Sequence, residues 1–196
     1  MSANHNSNLN LSLNKTKTLY GDISQGILHS AKKIKLLVCD VDGVFSDGRI
    51  YLGNNEEELK AFHTKDGFGI KALGSSGVAV AIITGRRSTI VANRMSALNV
   101  KHIIQGQEDK LPALIDLTKQ LELTSDEIAY IGDDIPDLAC ILHVGLGIAV
   151  QDAHPAVAKK ADYTTFIRGG FGAVREVCDL IMQAQGTLEN ASGASV

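Results

Sequence analysis

Leu36, Leu37, Val38 and Cys39 form an unbroken apolar run that stops at Asp40, with Asp42 and Gly43 just beyond it. Such a run predicts a central parallel strand covered on both faces. The turn after it is acidic, and Gly43 lets the backbone fold back there and leaves room for a ligand to approach the main chain. Two carboxylates at the carboxyl end of such a strand lie where open α/β sheets place their ligands. Like charges this close need a partner, and magnesium, which prefers hard oxygen ligands, is the obvious one. A bare Asp-x-Asp is more often a polar turn than a metal site, so the remainder of the chain has to decide.

The remainder repeats the pattern. Val78 to Ile83 is another continuous apolar run, followed by Thr84-Gly85-Arg86. His102 to Gln105, Ile128 to Ile131, Gly147 to Val150 and Tyr163 to Phe166 complete the predicted strands. Helical spacing covers about 66–73, 88–98, 109–121, the segment after Pro136, and 173–184, where Val174, Val177, Leu180, Ile181 and Ala184 share a face. Strands alternating with helices predict a doubly wound parallel sheet with right-handed crossovers and helices on both faces. Between Gly48 and Phe62 the alternation breaks, and a β-hairpin turning on Gly53-Asn54-Asn55 is expected to project from the core. Residues 1–17, rich in Asn, Ser and Lys, read as a disordered arm, and a helix over Ile23–Lys33 is expected with Asp22 as its cap. A single domain then spans 18–185, and the small, polar residues 186–196 read as a flexible tail.

Composition limits the function classes. A net charge of −3 gives no reason to expect nucleic acid or an anionic membrane as partner, so an anionic substrate has to be held by local cations and a metal. No apolar run approaches a membrane span. The three cysteines are few, odd in number and set in apolar surroundings, which points to reduced core thiols in a cytoplasmic protein.

Every notable polar residue falls just after a predicted strand: Asp40 and Asp42, then Thr84, then Asp133 and Asp134. In a parallel sheet these ends lie along one edge, so the residues converge although they are far apart in sequence. Lys110, at the start of its helix, would face the carboxylates across that edge. A phospho-acceptor receiver domain also collects such residues, but it places its adjacent acidic pair after the first strand and its acceptor after the third, which is not the order here.

Asp40-Val-Asp-Gly-Val, Ile83-Thr84-Gly-Arg, Lys110 and Gly132-Asp133-Asp134-x-x-Asp137 resemble, in order, the four motifs of the haloacid dehalogenase superfamily. Gly53-Asn-Asn, Phe62-His-Thr-Lys-Asp-Gly-Phe-Gly, Gln105-Gly-Gln, Asp152-Ala-His-Pro and Gly169-Gly-x-Gly-Ala-Val-Arg-Glu-Val extend the likeness from about Lys35 to Leu188. Those segments look like the 3-deoxy-D-manno-octulosonate 8-phosphate phosphatases, small capless sugar-acid phosphatases of lipopolysaccharide synthesis. The resemblance implies a Rossmann-like core without a cap domain, which agrees with the short spacing between the first two motifs and between the last two. It implies Asp40 as nucleophile, Asp42 as acid and base, and Mg2+ held by Asp40, the Asp42 main-chain oxygen and Asp133. Thr84 and Lys110 would grip the phosphoryl oxygens, with Asp134 and Asp137 supporting Lys110 or metal-bound water, or merely capping the next helix. His63, Thr64, Lys65, Asp66, Gly67 and Lys71 match the family's substrate loop, and Arg86 and Arg94 are suited to receive a sugar-acid carboxylate by paired hydrogen bonds. A homotetramer in which neighbours complete the open pocket is the family expectation, and the tail has a partial counterpart in relatives that reaches a neighbouring site. A phosphatase of another phosphorylated sugar acid of the sialic-acid type, or a non-catalytic phosphatase-like domain, are the competing readings.

Overall fold

The computed structural model describes residues 14–55 and 57–191. The described chain opens with an antiparallel pair, β1 (Lys15–Lys17) and β2 (Asp22–Ser24), in which Thr16 faces Ile23. The sequence reading assigns Lys15–Lys17 to a disordered arm and Ile23 to a helix capped by Asp22; both are corrected. Ile23 is buried in the core, and the Tyr20 hydroxyl donates to Asp179 at 2.8 Å, so this segment is pinned by contacts remote in sequence. Helix α1 (Gln25–Lys33) starts later than expected, with the Ser24 side chain as its cap, accepting from Ile27 N at 3.3 Å. The rest of the predicted arm, 1–13, lies outside the described residues.

Strand β3 (Leu36–Cys39) is followed by the short hairpin β4 (Tyr51–Leu52) and β5 (Glu58–Leu59), then α2 (Thr64–Ser75) and β6 (Ala79–Thr84). Next come α3 (Thr89–Ala97), β7 (His102–Gln105), α4 (Lys110–Gln120) and β8 (Ile128–Gly132). The chain closes with α5 (Leu138–His143), β9 (Leu146–Ala149), the short α6 (Pro155–Ala158), β10 (Tyr163–Thr164) and α7 (Ala173–Gln185). Six strands pair in the order β10-β9-β8-β3-β6-β7, and every pair is parallel. The apolar run that opens the sequence argument is therefore the inner strand between β8 and β6.

Alternation along the strands explains the two cores. Leu37 and Cys39 of β3 face one side with Val80 and Ile82 of β6, Ala129 and Ile131 of β8, and the apolar faces of α2, α3 and α7. Leu36 and Val38 face the other side with Ala81, Ile83, Ile128 and Tyr130, under Leu114 and Leu117 of α4 and Cys140 of α5. Burying each such Leu, Ile or Val side chain contributes about 1.5–3 kcal/mol. All three cysteines are buried and unpaired.

Among the described residues, only the hairpin and α2 lie between β3 and β6, and only α4 and a short turn lie between β7 and β8, so no cap domain is seen there over the carboxyl edge. The hairpin leaves Tyr51, Leu52 and Leu59 exposed. Helix α7 stops at Gly186, whose φ of 72° is left-handed. The expected flexible tail departs from its reading at its start: Thr187 N donates to Met182 O at 2.9 Å, and Leu188 packs against the core. Residues 192–196 lie outside the described residues.

Candidate active site

Register brings the acidic residues together. Cys39 lies opposite Ile82 on one side and Ile131 on the other, so Asp40, one residue on, sits level with the ends of β6 and β8. Asp40 is buried and its N–H donates to Ile131 O at 3.0 Å. Thr84, at the end of β6, is also buried, and Asp133 follows β8 directly. Gly43, at φ 91°, is needed twice over: a Cβ there would stand 2.1 Å from the Asp133 carboxylate.

Lys110 enters from the amino end of α4. Its Nζ lies 2.9 Å from Asp40 Oδ1 and 2.7 Å from Asp137 Oδ1, with the lysine almost wholly buried. Asp137 is the anchor of this group. One of its oxygens accepts from Lys110 and from the Tyr130 hydroxyl, each at 2.7 Å; the other accepts from Asp133 N at 3.1 Å and Asp134 N at 3.2 Å. The structure thus separates the two residues that sequence left together. Asp137 orients Lys110, whereas Asp134 is exposed and caps the following turn, accepting from Ile135 N at 2.8 Å.

The electrostatics call for another cation. Asp40, Asp133 and Asp137 each offer an oxygen within 4.8 Å of one another, and Lys110 is the ammonium among them. Burial, with the Asp137 charge added, pushes Asp40 up to about 6 in spite of Lys110. Burial, and then Asp40, Asp137 and Asp134, push Asp133 up to about 8. For Lys110 burial acts downward, but the Asp40 and Asp137 charges and the hydrogen bond to Asp137 outweigh it and the net shift is upward. When all are ionised, three carboxylates against one ammonium leave two negative charges, the complement of a divalent ion. Asp40 Oδ1 is moreover buried with no well-formed hydrogen bond. Asp137 is saturated by its four donors, so a metal falls to Asp40 and Asp133, and an all-oxygen site of this kind suits magnesium.

Asp42 lies on the open side. Its Oδ1 is contacted by Lys60 and by Ser46 Oγ at 3.4 Å, and its Oδ2 stands 3.9 Å from Arg86 Nε. Arg86 also reaches Glu58 at 3.4 Å, and the Ser88 hydroxyl donates to Glu58 at 3.1 Å. Sequence reasoning missed Lys60 and Glu58, because nothing in a two-residue hairpin strand signals that its side chains turn into the site.

The predicted substrate loop divides. His63 caps α2, its Nδ1 accepting from Lys65 N at 3.1 Å, and Thr64 and Lys65 are exposed. Asp66 is instead buried, accepting from Arg175 N at 2.8 Å, and burial pushes it up to about 7. Gly67 makes room for Arg94, whose guanidinium would lie 2.5 Å from a Cβ there. Lys71 lines a cavity of about 570 Å³ with Val78–Val80 and Val100–His102, at the amino ends of β6 and β7. The edge that carries Lys71 is opposite to the one that carries Thr84, because two turns of α2 carry position 71 down the sheet.

The glycine-rich and Asp-Ala-His-Pro segments brace the acidic loop. Gly170 N donates to Val44 O at 2.9 Å, Gly169 N to Asp152 Oδ1 at 2.9 Å, and His154 N to Asp133 O at 2.7 Å. Glu176, wholly buried, fixes the same loop through Phe166 N and Ile167 N.

Comparison with known proteins agrees with this architecture. A family model described as haloacid dehalogenase-like hydrolase matches residues 98–167. The 3-deoxy-D-manno-octulosonate 8-phosphate phosphatase of Yersinia pestis is 51% identical over 179 residues, covering 91% of this chain and 96% of that protein. A crystal structure of the Yersinia pestis enzyme superposes with a TM-score of 0.92 at 50% identity, covering 93% of this chain and 99% of that one. The Moraxella catarrhalis phosphatase, solved with magnesium, phosphate and the free sugar acid, superposes with a TM-score of 0.82 at 48% identity, covering 84% and 94%.

Proposed function

The chain belongs to the 3-deoxy-D-manno-octulosonate 8-phosphate phosphatases of the haloacid dehalogenase superfamily, and on that premise we propose that it hydrolyses this sugar-acid phosphate to the free sugar acid and inorganic phosphate. The observation that carries the reading is the single carboxyl-edge cluster of Asp40, Asp133, Asp137 and Lys110, with Asp42 beside it. Asp40 is the nucleophile: its carboxylate forms an O–P bond as the bond from phosphorus to the sugar oxygen breaks, and Asp42 gives that oxygen a proton. Water then attacks the aspartyl-phosphate, its proton passes to Asp42, and phosphate leaves with Asp40 restored. Positioned acid–base catalysis of this kind contributes about 10²–10⁴-fold. Lys110 and Thr84 hold the phosphoryl oxygens, and Asp137 fixes the Lys110 ammonium in place for that role. Asp40, Asp133 and the Asp42 main-chain oxygen hold Mg2+, which when bound offsets the charge repulsion between Asp40 and a phosphate dianion.

Arg86, half-exposed on the rim, takes the substrate carboxylate; Arg94 of α3, which lies against Gly67, and His63 and Lys65 at the start of α2 serve the sugar. The protein acts in the cytoplasm as a homotetramer, a reading supported by three buried, unpaired thiols and by the exposed apolar hairpin. The test is phosphate release over a panel of sugar-acid phosphates and hexose phosphates. Preference for the eight-carbon acid is expected; a preferred sialic-acid-type phosphate would move the substrate assignment, and no turnover at all would favour a non-catalytic role.

A further inference from the structure

Lys60 is a charged group of the site that lies outside every motif. It follows β5 on the return arm of the hairpin, yet its side chain is 0% exposed. An ammonium taken out of water is costly unless paired, and its partners are Asp42 Oδ1, in direct contact, and Glu58 Oε1 at 3.8 Å. The other groups on Asp42 are looser, Ser46 Oγ at 3.4 Å and Arg86 Nε at 3.9 Å. Glu58 in turn bridges to Arg86 at 3.4 Å and accepts from Ser88 Oγ at 3.1 Å. The hairpin therefore places an ammonium on one oxygen of Asp42 and leaves the other on the Arg86 side.

We propose that Lys60 is the positioning residue for the acid–base Asp42: it holds Oδ1 so that Oδ2, facing the Arg86 side where substrate binds, is the atom that exchanges the proton. The inference rests on the proposed role of Asp42. Lys60 touches neither phosphorus nor the leaving oxygen, so it acts through alignment, and its loss frees the Asp42 side chain to rotate about χ1 and χ2. Misalignment of a proton donor by a fraction of a hydrogen-bond length forfeits much of a contribution of about 10²–10⁴-fold. A lysine that merely anchored the hairpin would affect all substrates alike, whereas an aligner of the general acid matters only when the leaving oxygen needs a proton.

Single-turnover rates separate the two. Lys60→Met is expected to lose roughly 10–100-fold in leaving-group release from 3-deoxy-D-manno-octulosonate 8-phosphate, with KM little changed. Its loss on p-nitrophenyl phosphate, whose leaving group departs without protonation, should be at least several-fold smaller. Lys60→Arg, which keeps a cation, should recover most of the sugar-phosphate rate. Activity on p-nitrophenyl phosphate also reports that the variant is folded; Lys60→Gln carries the same comparison should the methionine variant not fold. Equal losses on the two substrates, or no loss on either, would overturn the proposal. Asp42→Asn is run alongside: if it shows the leaving-group dependence and the Lys60 variants do not, the positioning role alone fails. If Asp42→Asn shows none, the acid role of Asp42 fails, and the role of Lys60 with it.

Discussion

Gly169→Ala probes how the site is held without removing any group that reacts. A Cβ on Gly169 would stand 1.7 Å from the Gly43 carbonyl oxygen and 3.4 Å from Val44 N. Real Cβ atoms do not approach within 3.0 Å, so the glycine-rich loop and the Asp-x-Asp-Gly loop must part by about 1.3 Å. Both contacts are backbone, and no side-chain rotation relieves them. The neighbouring hydrogen bond from Gly170 N to Val44 O, 2.9 Å long, is stretched in the same movement. Overpacking of this sort costs about 1–3 kcal/mol of stability. A displacement of about 1 Å at a catalytic loop costs roughly 10²-fold in rate, equivalent to about 2.7 kcal/mol of transition-state stabilisation. The expected result is a folded protein with a lowered Tm and a kcat down by about two orders of magnitude at saturating magnesium. Gly74→Ala is the control, since a Cβ on that helical glycine meets nothing within 4 Å, and it should keep full activity with equal or higher stability. A Gly169→Ala enzyme with wild-type kcat would refute the view that this loop fixes the nucleophile.

Three further outcomes follow from the charges. Asp133 is raised from 3.8 to about 8, so between those pH values the metal-free folded state keeps a proton that the unfolded chain has lost. The stability this group contributes is therefore present below 3.8 and is lost as pH rises through about 8, where a cation must replace the proton. Magnesium should accordingly raise Tm more at pH 8 than at pH 5, measured against chelated protein; a pH-independent increment would contradict the assigned ligands. Asp137→Asn removes a charge bonded to Lys110, Tyr130 and two backbone N–H groups, and should cost about 3–5 kcal/mol as a broken buried pair. Asp134→Asn, at an exposed cap, should change both stability and kcat little, and equal effects of the two in thermal unfolding would undo the separation drawn between them.

The sheet and its reactive edge were legible because both rest on local patterns. Runs such as Leu36–Cys39 and Val80–Ile83 are buried on both faces, and each ends where a polar residue begins, so Asp40, Thr84 and Asp133 could be aligned from sequence. What escaped depends on partners distant in the chain. Lys15–Lys17 carries no strand pattern of its own and is held by its pairing with β2, beside Tyr20 bonded to Asp179. Lys60 and Glu58 carry no signal of their own in the hairpin until the fold turns Lys60 onto Asp42, with Glu58 beside it. Asp66 reads as part of a substrate loop, but α7 packs against α2 and Arg175 N donates to it. The Gly169–Gly170 pair is legible only as part of a family-like segment; its requirement comes from Gly43 across the site.

The central claim is that Asp40 carries the phosphoryl group. It is tested most directly by acid-quenching the Asp42→Asn enzyme after mixing with magnesium and an activated phosphate ester, reducing the acyl phosphate with borohydride, and mapping the modified residue by mass spectrometry. The expected result is homoserine at position 40 and at no other aspartate, absent when Asp40→Asn is combined with Asp42→Asn. Modification at Asp133 or Asp137, or phosphate release by Asp40→Asn at a substantial rate, would contradict the account.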